Sequence, residues 1–277
     1  MSAPIPALIG VIHLAPLPGS PRYEGDVGAV AASAGRCAQA LADAGFDGIV
    51  VENYGDAPFE PKAVPPATVA ALTRCAIAVR IAAPTLALGI NVLRNDAEAA
   101  LGVAVATGAS FVRVNVHVGA RLTDQGIVEG RAHHTLRLRR ALGATHLRLL
   151  CDVDVKHSAP LAPRPLYDEA RDLVERGGAD AVLVTGGGTG REASLRDVDE
   201  ALRAVDVPVL VASGVSEATL PQLRRAHGVI VGSCLRADGK AGGPIDPRLA
   251  QRFAEAFWAS RALDARTTTD PPPPVSV

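Results

Sequence analysis

Residues 107–117 read Thr107-Gly108-Ala109-Ser110-Phe111-Val112-Arg113-Val114-Asn115-Val116-His117, and two periodicities meet in them. An Ala/Val-rich stretch ends at Thr107, and Gly108 just beyond it supplies the left-handed residue that closes a helix. From Phe111 the chain alternates. Val112, Val114 and Val116 fall on one face, and Arg113, Asn115 and His117 fall on the other, which is the two-residue period of a strand. A valine face suits packing under helices. A polar face on the same strand needs an enclosed space with partners or a ligand, because burying such groups alone costs a few kcal/mol each.

The same unit recurs in both directions. Ala44-Gly45-Phe46-Asp47 and Gly177-Gly178-Ala179-Asp180 repeat the glycine turn between a helix-like stretch and an apolar run. The apolar runs are 7–13 (ALIGVIH), 47–53 (DGIVVEN), 85–91 (TLALGIN), 111–117 (FVRVNVH), 146–152 (HLRLLCD), 181–185 (AVLVT), 208–213 (PVLVAS) and 229–233 (VIVGS). Helix-like stretches such as 27–44, 66–81, 96–107 and 165–176 lie between them, and a further helix is expected to open at Ser216. Eight βα units in 277 residues match a closed (β/α)₈ barrel of the TIM type. An open doubly wound sheet normally has fewer strands and often an early glycine-rich dinucleotide turn, which the first strand lacks. The expectation is therefore one α/β domain, a TIM barrel over 1–262, with a disordered Pro-rich tail over 263–277.

Composition narrows the function classes. The net charge of -1 provides no overall field for nucleic acid, and aromatic residues at 3% provide no stacking platform for a single strand. Cys37, Cys75, Cys151 and Cys234 form no CxxC pair, so neither a disulfide framework nor a zinc site is expected, and a reducing cytoplasm is the natural compartment. No leader-like basic and apolar segment opens the chain. No apolar run reaches the ~20 residues of a transmembrane span. A homo-oligomer is compatible with all of this.

In a parallel barrel, chemistry gathers at the C-terminal ends of the strands. Those positions hold His13, Glu52, Asn91, Asn115, Asp152, Lys156 and His157, which form the candidate catalytic set. Arg113, Asn115 and His117 are expected to share the lumen face of strand four, and Asp152, Asp154 and Lys156 that of strand five. A lysine in a partly desolvated mouth can lose its proton near neutrality and act as a base or Schiff-base nucleophile, although Asp152 would hold it as an ammonium. His13 and Glu52 could form an acid–base pair, or bind a metal with Asp152. No HxxH-type spacing supports the metal, so none is expected, nor any cofactor. The last three strands end in Thr185-Gly186-Gly187-Gly188-Thr189-Gly190, Ser213-Gly214 and Gly232-Ser233. Backbone N–H groups at glycine turns in these positions are the habitual phosphate cup of barrels, which points to a small phosphorylated molecule as the partner. The assigned phosphate positions are Thr185, Gly186, Gly187, Gly188, Ser213, Gly214, Gly232 and Ser233.

Several runs together resemble the signatures of the BtpA/SgcQ family. They are Gly10 to Pro21 (GVIHLAPLPGSP), Glu52 to Phe59 (ENYGDAPF), Arg113-Val114-Asn115, Asp152 to His157 (DVDVKH), Thr185 to Gly190 and Val231-Gly232-Ser233, and the likeness spans about residues 8–258. The third glycine of TGGGTG departs from the pattern, where a more polar residue is expected. The resemblance implies a barrel with two kinds of role. One is photosystem I biogenesis, from which the family is named. The other is that of SgcQ-type barrels, which look like sugar-catabolism or nucleoside-related enzymes. The residues favour an enzyme on a sugar or nucleoside phosphate, by isomerase, lyase or glycosidic-bond chemistry. A non-catalytic assembly factor and a metal-dependent hydrolase remain the alternatives.

Overall fold

The computed structural model describes residues 4–186 and 193–267. In chain order these form β1 (Leu8–His13), α1 (Val27–Asp43), β2 (Gly48–Glu52), α2 (Pro66–Ala82), β3 (Ala87–Asn91), α3 (Ala97–Thr107) and β4 (Phe111–Val114). Next come β5 (Ala120–Thr123), β6 (Gly126–Glu129), α4 (Ala132–Ala141), β7 (Arg148–Asp152), β8 (Ser158–Pro160) and α5 (Leu166–Arg171), the last continuing as a π-helical turn, Asp172–Arg176. Then follow β9 (Ala181–Val184), α6 (Leu195–Ala204), β10 (Val209–Val211), β11 (Gly228–Val231) and α7 (Pro247–Thr267).

Eight of the strands are parallel and close in the order β1-β11-β10-β9-β7-β4-β3-β2, so the barrel expected from the repeats is present. The ring shuts where Leu8 pairs with Val229 and Ile9 with Ile230. Alternation divides each strand between two apolar shells. Val51, Leu88, Val112, Leu149, Val182 and Val229 face outward under the helices. Ile9, Val11, Val50, Phe111, Leu150, Leu183, Leu210 and Ile230 fill the lumen floor. At the strand entrances, the residues after the glycine turns tie neighbours together. Asp47 accepts the Leu8 N–H at 2.7 Å, and Asp180 accepts the Leu149 N–H at 2.9 Å and pairs with Arg139 and Arg148. Gly108 caps α3 at φ 63°, as its position after Thr107 requires.

Three features differ from the sequence expectation. The connection after β10 carries a single 3₁₀ turn, Leu220–Gln222, where a helix was expected from Ser216. Thr219 Oγ1 both accepts the Ser216 N–H and donates to its carbonyl. Pro221 has no N–H to donate to the Glu217 carbonyl, so a helix opened at Ser216 would lose a hydrogen bond there. Second, β5, β6 and β8 form a small antiparallel sheet beside the barrel mouth. Its hairpin turns on Asp124-Gln125 between paired Thr123 and Gly126, a short alternation within a stretch that reads as a long loop. Third, the backbone of 263–267 continues α7, while 268–277, the rest of the expected tail, lies outside the described residues. Among the described residues, no helix is long and apolar enough to cross a membrane.

Candidate functional site

Above the apolar floor, the inward positions change character around only part of the ring. β1 ends in His13, β2 in Glu52 and β3 in Asn91, β4 presents Arg113 and then Asn115, and β7 ends in Asp152. On the other side the inward residues are Leu183, Ala212 and Ile230, followed by the backbone of Ser213-Gly214 and Gly232-Ser233. A cavity of about 310 Å³ opens between these halves. Its walls include His13, Glu52, Tyr54, Phe59, Arg94, Arg113, Asn115, Lys156, Ser213, Gly214, Gly232 and Ser233.

The charged half is bound into one network. Arg113 grips Asp152 with two bonds, Nε to Oδ1 at 3.1 Å and Nη2 to Oδ2 at 2.9 Å, and its Nη1 lies 4.0 Å from Glu52 Oε2. Asn115 donates to the same Asp152 oxygen at 2.8 Å, and Asn91 donates to Asn115 at 3.0 Å. Burial works against the Arg113 charge, but Asp152 and Glu52 more than offset it and hold the guanidinium above its ordinary value. Asn91 Oδ1 is buried with no hydrogen-bond partner.

His13 is fixed from behind. The Gly242 N–H donates to its Nδ1 at 3.1 Å, which leaves Nε2 as the protonated nitrogen of a neutral ring. Burial, and then the charges of Arg236, Lys156 and Arg113, push the imidazole well below its ordinary value, so it stays neutral at pH 7. Its Nε2 lies 3.8 Å from Glu52, beyond hydrogen-bond reach, and its ring packs 4.5 Å from Tyr54. Burial raises the Glu52 carboxyl, with Arg113 and Lys156 opposing. Burial also lowers the Lys156 amine to about 8, assisted by Arg113 and resisted by Glu52 and Asp152. A carboxyl pushed up and an amine pushed down now face one cavity, which is the arrangement that suits proton transfer near neutrality.

Not every expected residue points into this space. His117 leaves the lumen because β4 ends at Val114. The ring turns out to Gly177, whose carbonyl lies 2.8 Å from Nε2. Asp154 is exposed and pairs with Arg121 at 3.3 Å, so the extended geometry that would have carried it inward stops at Asp152. His157 lies at the cavity rim, exposed, with a left-handed backbone at φ 54°. Thr185 is buried, and its hydroxyl donates to the Asp154 carbonyl, next to Gly186. Gly187 and Gly188 lie outside the described residues. His13, Glu52 and Asp152 do not gather into a metal-holding group, and no such group of three occurs among the described residues; Arg113 occupies the space that a shared ion would need.

The sequence reading missed Arg94, Arg236 and Tyr54. Arg236 is buried and donates to the carbonyls of Gly232, Gly242 and Val11, holding the loop that reaches His13. Arg94 donates to the Lys156 carbonyl. Both are charged residues a few positions past a strand end, where a solvated loop is the ordinary reading, and only the fold of the loop shows that they turn inward.

A single-domain parallel barrel, charged on one side of its mouth and glycine-walled on the other, defines the class of this molecule. The chain belongs to the BtpA family, which matches residues 5–258. It is 45% identical to the photosystem I biogenesis protein BtpA of Synechocystis, over 90% of this chain and 87% of that one. It is 46% identical to an uncharacterised protein of Pyrococcus furiosus, over 86% and 89%. A mitochondrial protein of Caenorhabditis elegans is 31% identical over 90% and 91%. Among solved structures, thiamine phosphate pyrophosphorylase of Pyrococcus furiosus superposes with a TM-score of 0.56 at 12% identity, covering 93% of this chain and 96% of that one. The (S)-3-O-geranylgeranylglyceryl phosphate synthase of Thermoplasma acidophilum, in complex with sn-glycerol-1-phosphate, superposes at 0.55 and 14% identity, covering 92% of each. At such identities these likenesses establish the shared barrel fold.

Proposed function

We propose that this protein is an enzyme acting on a small phosphorylated metabolite, a sugar or nucleoside phosphate, with proton transfer at its centre. One observation carries the reading. An amine lowered to about 8 and a carboxyl raised above its ordinary value line a cavity whose opposite wall is glycine-turn backbone. Lys156 and Glu52 exchange the proton with the substrate. Neutral His13 donates from Nε2, and Asn115 and Asn91 hold the Arg113–Asp152 pair in place below. The N–H groups around Ser213-Gly214 and Gly232-Ser233 receive the phosphate. Isomerisation and C–C or C–N lysis both use this equipment, and glycosidic cleavage would use Glu52 as the acid. The Thermoplasma synthase, a barrel solved with sn-glycerol-1-phosphate, supports a phosphorylated ligand by analogy of fold alone.

The name of the Synechocystis relative favours a second reading, a non-catalytic factor in photosystem assembly. Relatives 41% and 31% identical occur in Methanocaldococcus jannaschii and Caenorhabditis elegans, which have no photosystem, so that role is not what the family holds in common. Phosphorus NMR of the purified protein with pooled sugar and nucleoside phosphates tests the choice. A new resonance that grows with wild type and not with Lys156→Met supports the enzyme. No change in any pool, with phosphate binding intact, favours the assembly factor.

A further inference from the structure

Arg94 is 7% exposed, yet among the described residues no carboxylate pairs with it. Among the described residues its side chain makes one hydrogen bond, to the Lys156 carbonyl, and no ion pair, while it lines the cavity. A buried guanidinium ordinarily has a carboxylate, because its five N–H donors suit a two-oxygen anion and its charge is costly to desolvate alone. Three acids act on it electrostatically, Asp152, Asp124 and Glu52, and none forms an ion pair with it; Asp124 is exposed and accepts from Gln125. Asp152 is already held by Arg113 and Asn115, and Glu52 lies against Arg113. Lys156 adds a second cation with no ion pair among the described residues. Arg94 follows β3, and in the ring order β3 stands four strands from β10 in either direction, directly across the barrel. Arg94 is thus rooted opposite the Ser213-Gly214 turn, and its guanidinium, held at the Lys156 carbonyl, lines the same cavity as that turn.

We infer that Arg94 forms a second anion subsite, so that the substrate carries a phosphate at one end and a carboxylate or second phosphate at the other. This deepens the proposed function and rests on its phosphate cup at the ends of β10 and β11. The substrate then spans the lumen, and its central carbons lie over Glu52 and Lys156. Neither anion needs to touch the proton-transfer groups. The free N–H groups of Arg94 favour a planar carboxylate, which takes two parallel bonds.

Calorimetric titration with matched pairs of probes tests this. 6-Phosphogluconate and sorbitol 6-phosphate differ by a carboxylate against a hydroxymethyl group at the end away from the phosphate. 3-Phosphoglycerate and glycerol 3-phosphate repeat the comparison on a shorter chain, and gluconate carries the carboxylate alone. For at least one pair, the carboxylated member should bind wild type tenfold or more tightly than its partner, a charge-assisted pair being worth at least one decade. Arg94→Met should erase that advantage and leave the phosphate-only member unchanged, with Arg94→Lys in between. If the members of both pairs bind wild type equally, or the advantage persists in a folded Arg94→Met, the second subsite is wrong while the phosphate cup stands. If no phosphorylated probe binds but gluconate binds through Arg94, the cup fails and the anion site survives. If nothing binds, both fall. Thermal melting of the unliganded variants separates a lost subsite from a lost fold.

Discussion

Lys156 is where burial has its clearest chemical consequence. With its amine at about 8, roughly a tenth of the side chain is neutral at pH 7, against a vanishing fraction for an ordinary lysine. Amine-directed labelling followed by peptide mass spectrometry should show half-maximal reactivity of Lys156 near pH 8. A midpoint in the ordinary lysine range would remove the proposed base. The shift also links to stability. Between about 8 and the ordinary 10.5, the unfolded chain holds the proton that folded Lys156 has released. Stability therefore rises with pH across that window, and the penalty is fully present below it. Lys156→Met should stabilise the protein at pH 7 by about 1–3 kcal/mol and abolish that rise. Urea midpoints at pH 7 and pH 10 measure both effects, and a destabilised Lys156→Met would contradict the burial argument. Lys156 lines the cavity, as its position just past a strand end led one to expect. Alternation misplaced Asp154 and His117 because it holds only while the strand lasts, and the strand's last residue is set by the loop that follows.

At the scale of elements, β4 and β7 are joined through their side chains as well as their ladder. Asp152→Asn would leave Arg113 buried with half its partner charge removed, and breaking such a pair costs about 3–5 kcal/mol. A denaturant midpoint unchanged from wild type would show that Glu52 alone suffices as the counter-ion. Lower in the barrel, β3 approaches β4 across Gly89, where a Cβ would lie 2.0 Å from the Phe111 ring. Gly89→Ala should destabilise by about 2 kcal/mol or more, and Phe111→Leu should recover part of it in the double variant, since the two sites share one space. Additive losses would mean that the ring is not the obstacle. The elements themselves were legible wherever period and punctuation agreed, as at Thr107-Gly108 and at Asp47. The β5–β6–β8 sheet was not legible, because its strands of three and four residues have exposed faces and only Val128 among them joins a small apolar cluster, with Val116 and Val155 from outside the sheet. The helix expected to open at Ser216 was overread, because glycine and serine at a strand end announce a turn whether or not a helix follows it.

Across the whole molecule, the net charge of -1 conceals a local imbalance. Arg22, Arg94, Arg113 and Lys156 line the mouth, and Glu52 is the lone carboxylate among the described lining residues. Composition cannot reveal this, since it does not say where the acids lie. A barrel arranged in this way attracts anions into a half-dry space, where each contact counts for more than in water. Its division into a charged half and a glycine half comes from the strand ends, most of which could be read in advance. The loops that carry Arg94 and Arg236 inward required the fold. The central claim is that the glycine half holds a phosphate. It is tested most directly by thermal-shift titration of the full chain with sugar and nucleoside phosphates against their dephosphorylated counterparts, in wild type and in Ser233→Asp. Phosphorylated compounds alone should raise the melting temperature, by mass action, and the added carboxylate should abolish the shift. Equal shifts with and without phosphate, or shifts that persist in Ser233→Asp, would contradict it.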